Sequence, residues 1–206
     1  PLLHFFWTRV LPAILPWVFF WQTLGLWFYI DDISWLNITS QLNHWNDLFV
    51  ILFQPMAQGT VRFLSERSFF LFTSSVFGLE PLPFRIIVLT ALSVSSILLV
   101  EVARKLTGSA LVGIIAICFW NIQTGLLDAV SWISAANQIF CSLFILAAFL
   151  AFLNQKPIWC WSIFLLGFGV LESIVVFPAL LGAYCLLFHR ERLKETFYYW
   201  IPALIF

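Results

Sequence analysis

Residues 27–36, WFYIDDISWL, set Asp31 and Asp32 side by side directly after an apolar run, with no basic residue close by in sequence. Adjacent carboxylates repel one another, which raises the proton affinity of the pair. The plainer role for aspartate at such a point is to start a helix, since its short side chain caps free N–H groups. Two further acids occupy comparable places, Asp128 in NIQTGLLDAVS and Glu172 in GFGVLES. Ionisable groups near membrane depth are costly and commonly functional. A shared polar cavity gives distant helices a reason to carry acids at similar depth. Asp31 or Asp32, Asp128 and Glu172 are therefore expected around one outward cavity, with Arg67, or failing it Arg62 or Arg85, at its rim.

The elements that must position these groups are apolar. Of 206 residues, 62% are hydrophobic and only 10% charged, with 24 Phe and 11 Trp. A soluble domain carries about 25% charged residues, so this chain cannot cover its surface with solvated groups. The expected class is all-α, a polytopic transmembrane helix bundle of about seven spans with interfacial helices in its first outer loop. Spans are expected from about residue 10 to 30, then over PLPFRIIVLTALSVSSILLVEVARKLTGS, ALVGIIAICFW and WISAANQIFCSLFILAAFLAFL. The run 158–188 splits into two short helices meeting near Glu172, and a last span starts at Phe197. Residues 31–81 form the first extracytoplasmic loop. Its amphipathic pieces DLFVILF and VRFLSERSFFLFTSSVFGL lie at the interface, anchored by Trp35 and Trp45. Residues 1–206 read as one transmembrane domain, the N-terminal part of a longer protein.

Charge divides along the same layout. One face collects Arg9, Arg104, Lys105, Lys156, Arg190, Arg192 and Lys194; the other collects Asp31, Asp32, Asp47, Glu66, Glu80, Asp128 and Glu172. A basic excess marks the cytoplasmic side. The expectation is an integral protein of a bacterial inner membrane, its N-terminus cytoplasmic and its acids outward. A formal net charge of zero gives no pull on nucleic acid. Cys118, Cys141, Cys160 and Cys185 sit inside apolar runs and read as small buried hydrophobes. His4, His44 and His189 are scattered between the two faces, so no shared metal site is expected from them.

The ordered series YIDDISWL, FGLEPLPFRIIVLTALSVSSILLVEVARKLTGS, LDAVSWIS and GVLESIVVFPALLGAYCLLFHRERLKETFYYWIPALI resembles the integral-membrane GT-C glycosyltransferases, in the protein O-mannosyltransferase branch. The resemblance implies transfer of a sugar from a polyprenyl-phosphate-linked donor on the extracytoplasmic face. It implies Asp31 and Asp32 as the catalytic pair, one taking the proton of a hydroxyl acceptor. The second would raise the pair's proton affinity or hold a divalent ion or the acceptor. Substrate binding falls to Arg67 in ERSFF, on the lipid phosphate, to Asp128 in DAVSWI, and to Glu172 in VLES. Besides the lipid-linked sugar, the implied partners are membrane lipids. Three departures stand against activity: Val88 and Leu92 where the family has polar residues, and QTGL at 123–126 in place of a histidine motif. They motivate a rival reading, a non-catalytic transmembrane accessory subunit of a larger membrane protein complex, such as an energy-transducing one. A channel or transporter would want polar residues along its spans, which here are nearly bare of charge.

Overall fold

The N-terminal apolar run does not make one straight helix. In the computed structural model, which describes residues 5–42, 44–55 and 59–206 apart from the side chains of 39, 40, 45 and 46, a π-helical turn Phe6–Val10 leads into α1, Leu11–Phe20. A tighter 3-10 stretch, Trp21–Gly25, follows, and Leu26 leaves it in an extended conformation. Pro16 lies inside α1, where proline lacks a donor and crowds the carbonyl four residues back, so regular helix is hard to sustain. His4 and the side chain of Trp45 lie outside the described residues.

Residues 31–77 carry short elements: α2 (Asp31–Leu36), a 3-10 turn Asn37–Gln41, α3 (Trp45–Phe53), a π-helical turn Phe63–Ser68 and α4 (Phe69–Phe77). The longest helix, α5 (Pro81–Thr107), starts on Pro81, whose missing N–H costs nothing in a first turn. It stops at Gly108, whose φ of 76° is left-handed and whose N–H returns to the Arg104 carbonyl at 2.8 Å. Arg104 and Lys105 in its last turn complement the helix dipole. The chain doubles back through α6 (Ala110–Asn121), bends by 68° into α7 (Thr124–Ser131), and passes through the 3-10 turn Ile133–Ala136 into α8 (Asn137–Leu153). Then come α9 (Pro157–Gly167), a 3-10 turn Glu172–Val176, α10 (Phe177–Phe188), a turn Arg190–Arg192 and α11 (Leu193–Ile205).

Helix α5 is the hub, packed on α1, α6 and α8; α8 carries α9, and α10 packs on α11. One apolar centre gathers Phe84, Val88, Leu89 and Leu92 of α5 with Phe70, Ala136 and Ile139. A second gathers Phe152, Phe164, Ile174, Phe177 and Tyr199.

Among the described residues, two helices are long and apolar enough to cross a membrane, Pro81–Thr107 and Ile133–Leu153. The bent pair Ala110–Asn121 and Thr124–Ser131 makes a third only if taken as one span. This corrects the expected bundle of about seven spans. The cause is length: α9 has 11 residues, hence ~17 Å at 1.5 Å per residue, against ~30 Å of hydrocarbon. Glu172–Phe188 is also a short apolar stretch, and α11 contains Pro202. In the first run the regular helix ends at Phe20.

Candidate functional site

The buried Arg85 of α5 organises the approach to the Asp pair. Its guanidinium donates to the carbonyls of Leu26 (2.9 Å) and Trp27 (2.8 Å), and to those of Ser131 (3.1 Å) and Val130 (3.4 Å). Carbonyls of the non-helical stretch after Gly25 and of the last turn of α7 are thereby satisfied at once. The chain turns sharply at Ile30, whose φ is 29°, and α2 begins. Asp31 and Asp32 both sit in its first turn, where negative charge is favoured.

The two aspartates then diverge. Asp32 is 0% exposed. One carboxylate oxygen accepts the Tyr29 N–H at 2.9 Å; the other accepts the Ser134 N–H at 2.7 Å and the Ser134 hydroxyl at 2.5 Å. It ties the start of α2 to the turn before α8. Asp31 is exposed and faces a cavity of about 1090 Å³.

Arg62, Glu66 and Glu172 form another part of the wall. Arg62 donates to both Glu172 oxygens, through Nε at 2.9 and 3.0 Å, and through Nη1 to Glu66 at 2.7 Å. Asn137 of α8 donates to the same Glu66 oxygen at 3.2 Å. Burial alone would lower the Arg62 pKa, but its hydrogen bonds to Glu172 and Glu66 outweigh this and raise it above the ordinary value. The neighbouring backbone is tied as well, Leu64 N–H to the Gly169 carbonyl at 2.8 Å and the Ser65 hydroxyl to the Val170 carbonyl at 2.5 Å.

Of the residues singled out by sequence, Asp31 and Glu172 line this cavity, and Asp32 lies buried beside Ser134, which lines it. Asp128 is exposed on α7, outside the lining. Arg67 is also outside it: 1% exposed, it donates to the carbonyls of Ile51 and Leu52 at 2.9 Å and of Thr60 at 3.3 Å. Desolvation lowers its pKa, opposed by the charge of Glu66. The arginine at the cavity is Arg62. Sequence reasoning missed Trp132, Ser134, Asn137, Gln138 and Ser142. For Ser134, Gln138 and Ser142 the signal is the spacing, a polar residue every four positions from the 3-10 turn into the apolar α8.

Comparison with protein-family models, with curated proteins and with solved structures gave no match. The GT-C resemblance is corrected by this result and by the span count. Its motifs were short pieces of apolar, aromatic-rich sequence, a composition that any membrane helix shares. The membrane glycosyltransferase function, with its polyprenyl-phosphate sugar, falls with it. Val88 and Leu92, both 0% exposed, are packing residues of α5. Among the described residues, no group of three or more His, Cys, Asp and Glu side chains is arranged to hold a metal ion.

The chemistry open to the cavity is narrow. Asp32 is saturated by three donors and out of reach of any bound molecule. Glu66 and Glu172 are committed to Arg62. Asp31 has no hydrogen bond or ion pair among the described residues.

Proposed function

We propose that this protein is a non-catalytic accessory subunit of a larger membrane protein complex, held in the membrane by α5 and α8. One observation carries the reading: α9 and the stretch Glu172–Phe188 are apolar but too short to cross, and the connection between them ends in a partly exposed Arg62–Glu172 ion pair. A connection at bilayer depth is tolerated only where protein covers it; the turn Phe63–Ser68 covers its backbone, through Leu64 on the Gly169 carbonyl and Ser65 on that of Val170, and leaves the apolar flanks bare. Leu165, Leu166 and Val176 beside that connection are about half exposed, at 49%, 48% and 49%, and belong under a partner subunit. The commitment of Asp32, Glu66 and Glu172 to structural bonds favours a scaffold over a catalyst. The basic end, with Arg104 paired to Glu101 at 2.6 Å and Arg9 and Lys105 close enough to act on the same carboxylate, is the cytoplasmic one under this reading.

The test is extraction of native membranes in mild detergent, followed by native electrophoresis and tagged co-purification. The protein should resist alkaline extraction and migrate well above the mass of one chain, with a partner at fixed stoichiometry. Release as single chains under every mild condition would overturn the proposal.

A further inference from the structure

Apart from the helices long enough to cross a membrane, two short helices expose large apolar side chains in ordered stripes. On α3 the stripe is Phe49 (71% exposed), Val50 and Phe53, at i, i+1 and i+4, while Ile51 on the opposite face is buried. On α4 Phe72 (66% exposed) and Val76 lie one turn apart, with Phe69, Phe70 and Thr73 buried behind them. The inward faces already rest on protein, so each stripe is a second apolar face on its helix. Left in water, a surface of this kind is unfavourable and marks an interaction site.

One residue holds the two helices together. Arg67 stands two positions before α4, and its buried guanidinium donates to the carbonyls of Ile51 and Leu52, both at 2.9 Å. Those carbonyls belong to the last turn of α3, where they lack partners within the helix and where positive charge complements the dipole. The aromatic rings continue the brace: Phe49 lies 4.9 Å from Phe53, and Phe53 lies 5.1 Å from Phe63.

Position and charge say what covers the stripes. Helix α4 ends at Phe77 and α5 begins at Pro81, and the exposed apolar side chains run on through Val76, Leu79, Leu82 and Ile86. Helix α5 is long and apolar enough to cross a membrane, so the stripe of α4 continues onto its lipid-facing side. With nine residues each, α3 and α4 reach only ~14 Å, a length suited to lying along the interface. The charge on α3 is Asp47, committed to the His44 N–H at 2.8 Å, and α4 has none. Their seat is therefore one recognised by apolar burial alone.

We propose that α3 and α4 form an interfacial corner, braced by Arg67, that lies in the lipid boundary at the Pro81 end of α5. Phe49, Phe53 and Phe72 enter among the upper acyl chains, whatever the charge of the headgroups above them. The corner rests on α5 crossing the membrane and needs no partner chain.

The test places photo-crosslinking benzoylphenylalanine at Phe49, Phe72 or Val94 of the full chain and irradiates native membranes. Val94, exposed midway along α5, reports separately on whether that helix meets lipid. Lipid adducts are expected at all three positions. Lipid at Val94 with discrete protein adducts at Phe49 and Phe72 would overturn the proposal and assign the corner to a partner. Lipid at Val94 with no adduct at the other two would place the corner in water and overturn it as well. No lipid adduct at any position would remove α5 from the membrane, and the corner with it. In nanodiscs, a nitroxide on Phe49→Cys in a Cys118→Ser background should be relaxed by oxygen in preference to a water-soluble nickel chelate. Its depth should be the same in phosphatidylcholine and phosphatidylglycerol, and at low and high salt; a depth that follows lipid charge or salt contradicts a seat built on apolar burial.

Discussion

At the residue scale, neighbours of identical type have separate jobs. Asp32 is a structural acceptor and Asp31 a cavity wall, separated by one step of helix in a first turn. Asn at position 32 keeps the shape but offers only one acceptor oxygen, so either Tyr29 or Ser134 faces an amide donor. Asp32→Asn should destabilise by about 2–3 kcal/mol, the scale for losing hydrogen bonds to a buried charged group, measured as a lowered melting transition in detergent. Asp128→Asn should stay within about 0.5 kcal/mol of wild type, as exposed substitutions do. A helix start at the Asp pair was legible in sequence, but not the capping expected of it: Ile30 holds the cap position without a side-chain bond, and both aspartates lie inside the first turn. The roles of Arg67 and Arg85 were not legible: both bind main-chain carbonyls, which carry no residue-type signal.

Contacts between elements decide the register of the bundle. Gly113 of α6 lies so close to α5 that a Cβ there would come within 2.6 Å of the Val100 Cα and 3.0 Å of its carbonyl oxygen. Backbone cannot yield as a side chain does. Gly113→Leu should therefore force α6 away from α5 and cost about 1–3 kcal/mol or more, while Gly125→Ala, inside α7 with open space around it, should leave the melting transition in place or raise it slightly. The ends of α5 were readable, since prolines open it and a glycine closes it. So was the break before Glu172, where Gly167 and Gly169 interrupt an apolar run. The changes of helix type between Phe6 and Gly25 were not, because hydropathy registers apolar content and not whether the backbone ladder is continuous.

For the whole molecule, composition announced apolar helices and overstated how many are long enough to cross a membrane. Apolar runs of 11 to 13 residues look like spans when hydropathy alone is read, yet here they pack on one another and on α8. Under the subunit proposal, such pieces serve a protein that others complete. The most direct test of that idea places a photo-crosslinking amino acid at Leu166 or Val176, on the outer side of the short-helix connection, and irradiates native membranes. The account predicts one discrete protein adduct from both positions, with the same partner. Adducts with lipid alone at both positions would contradict it.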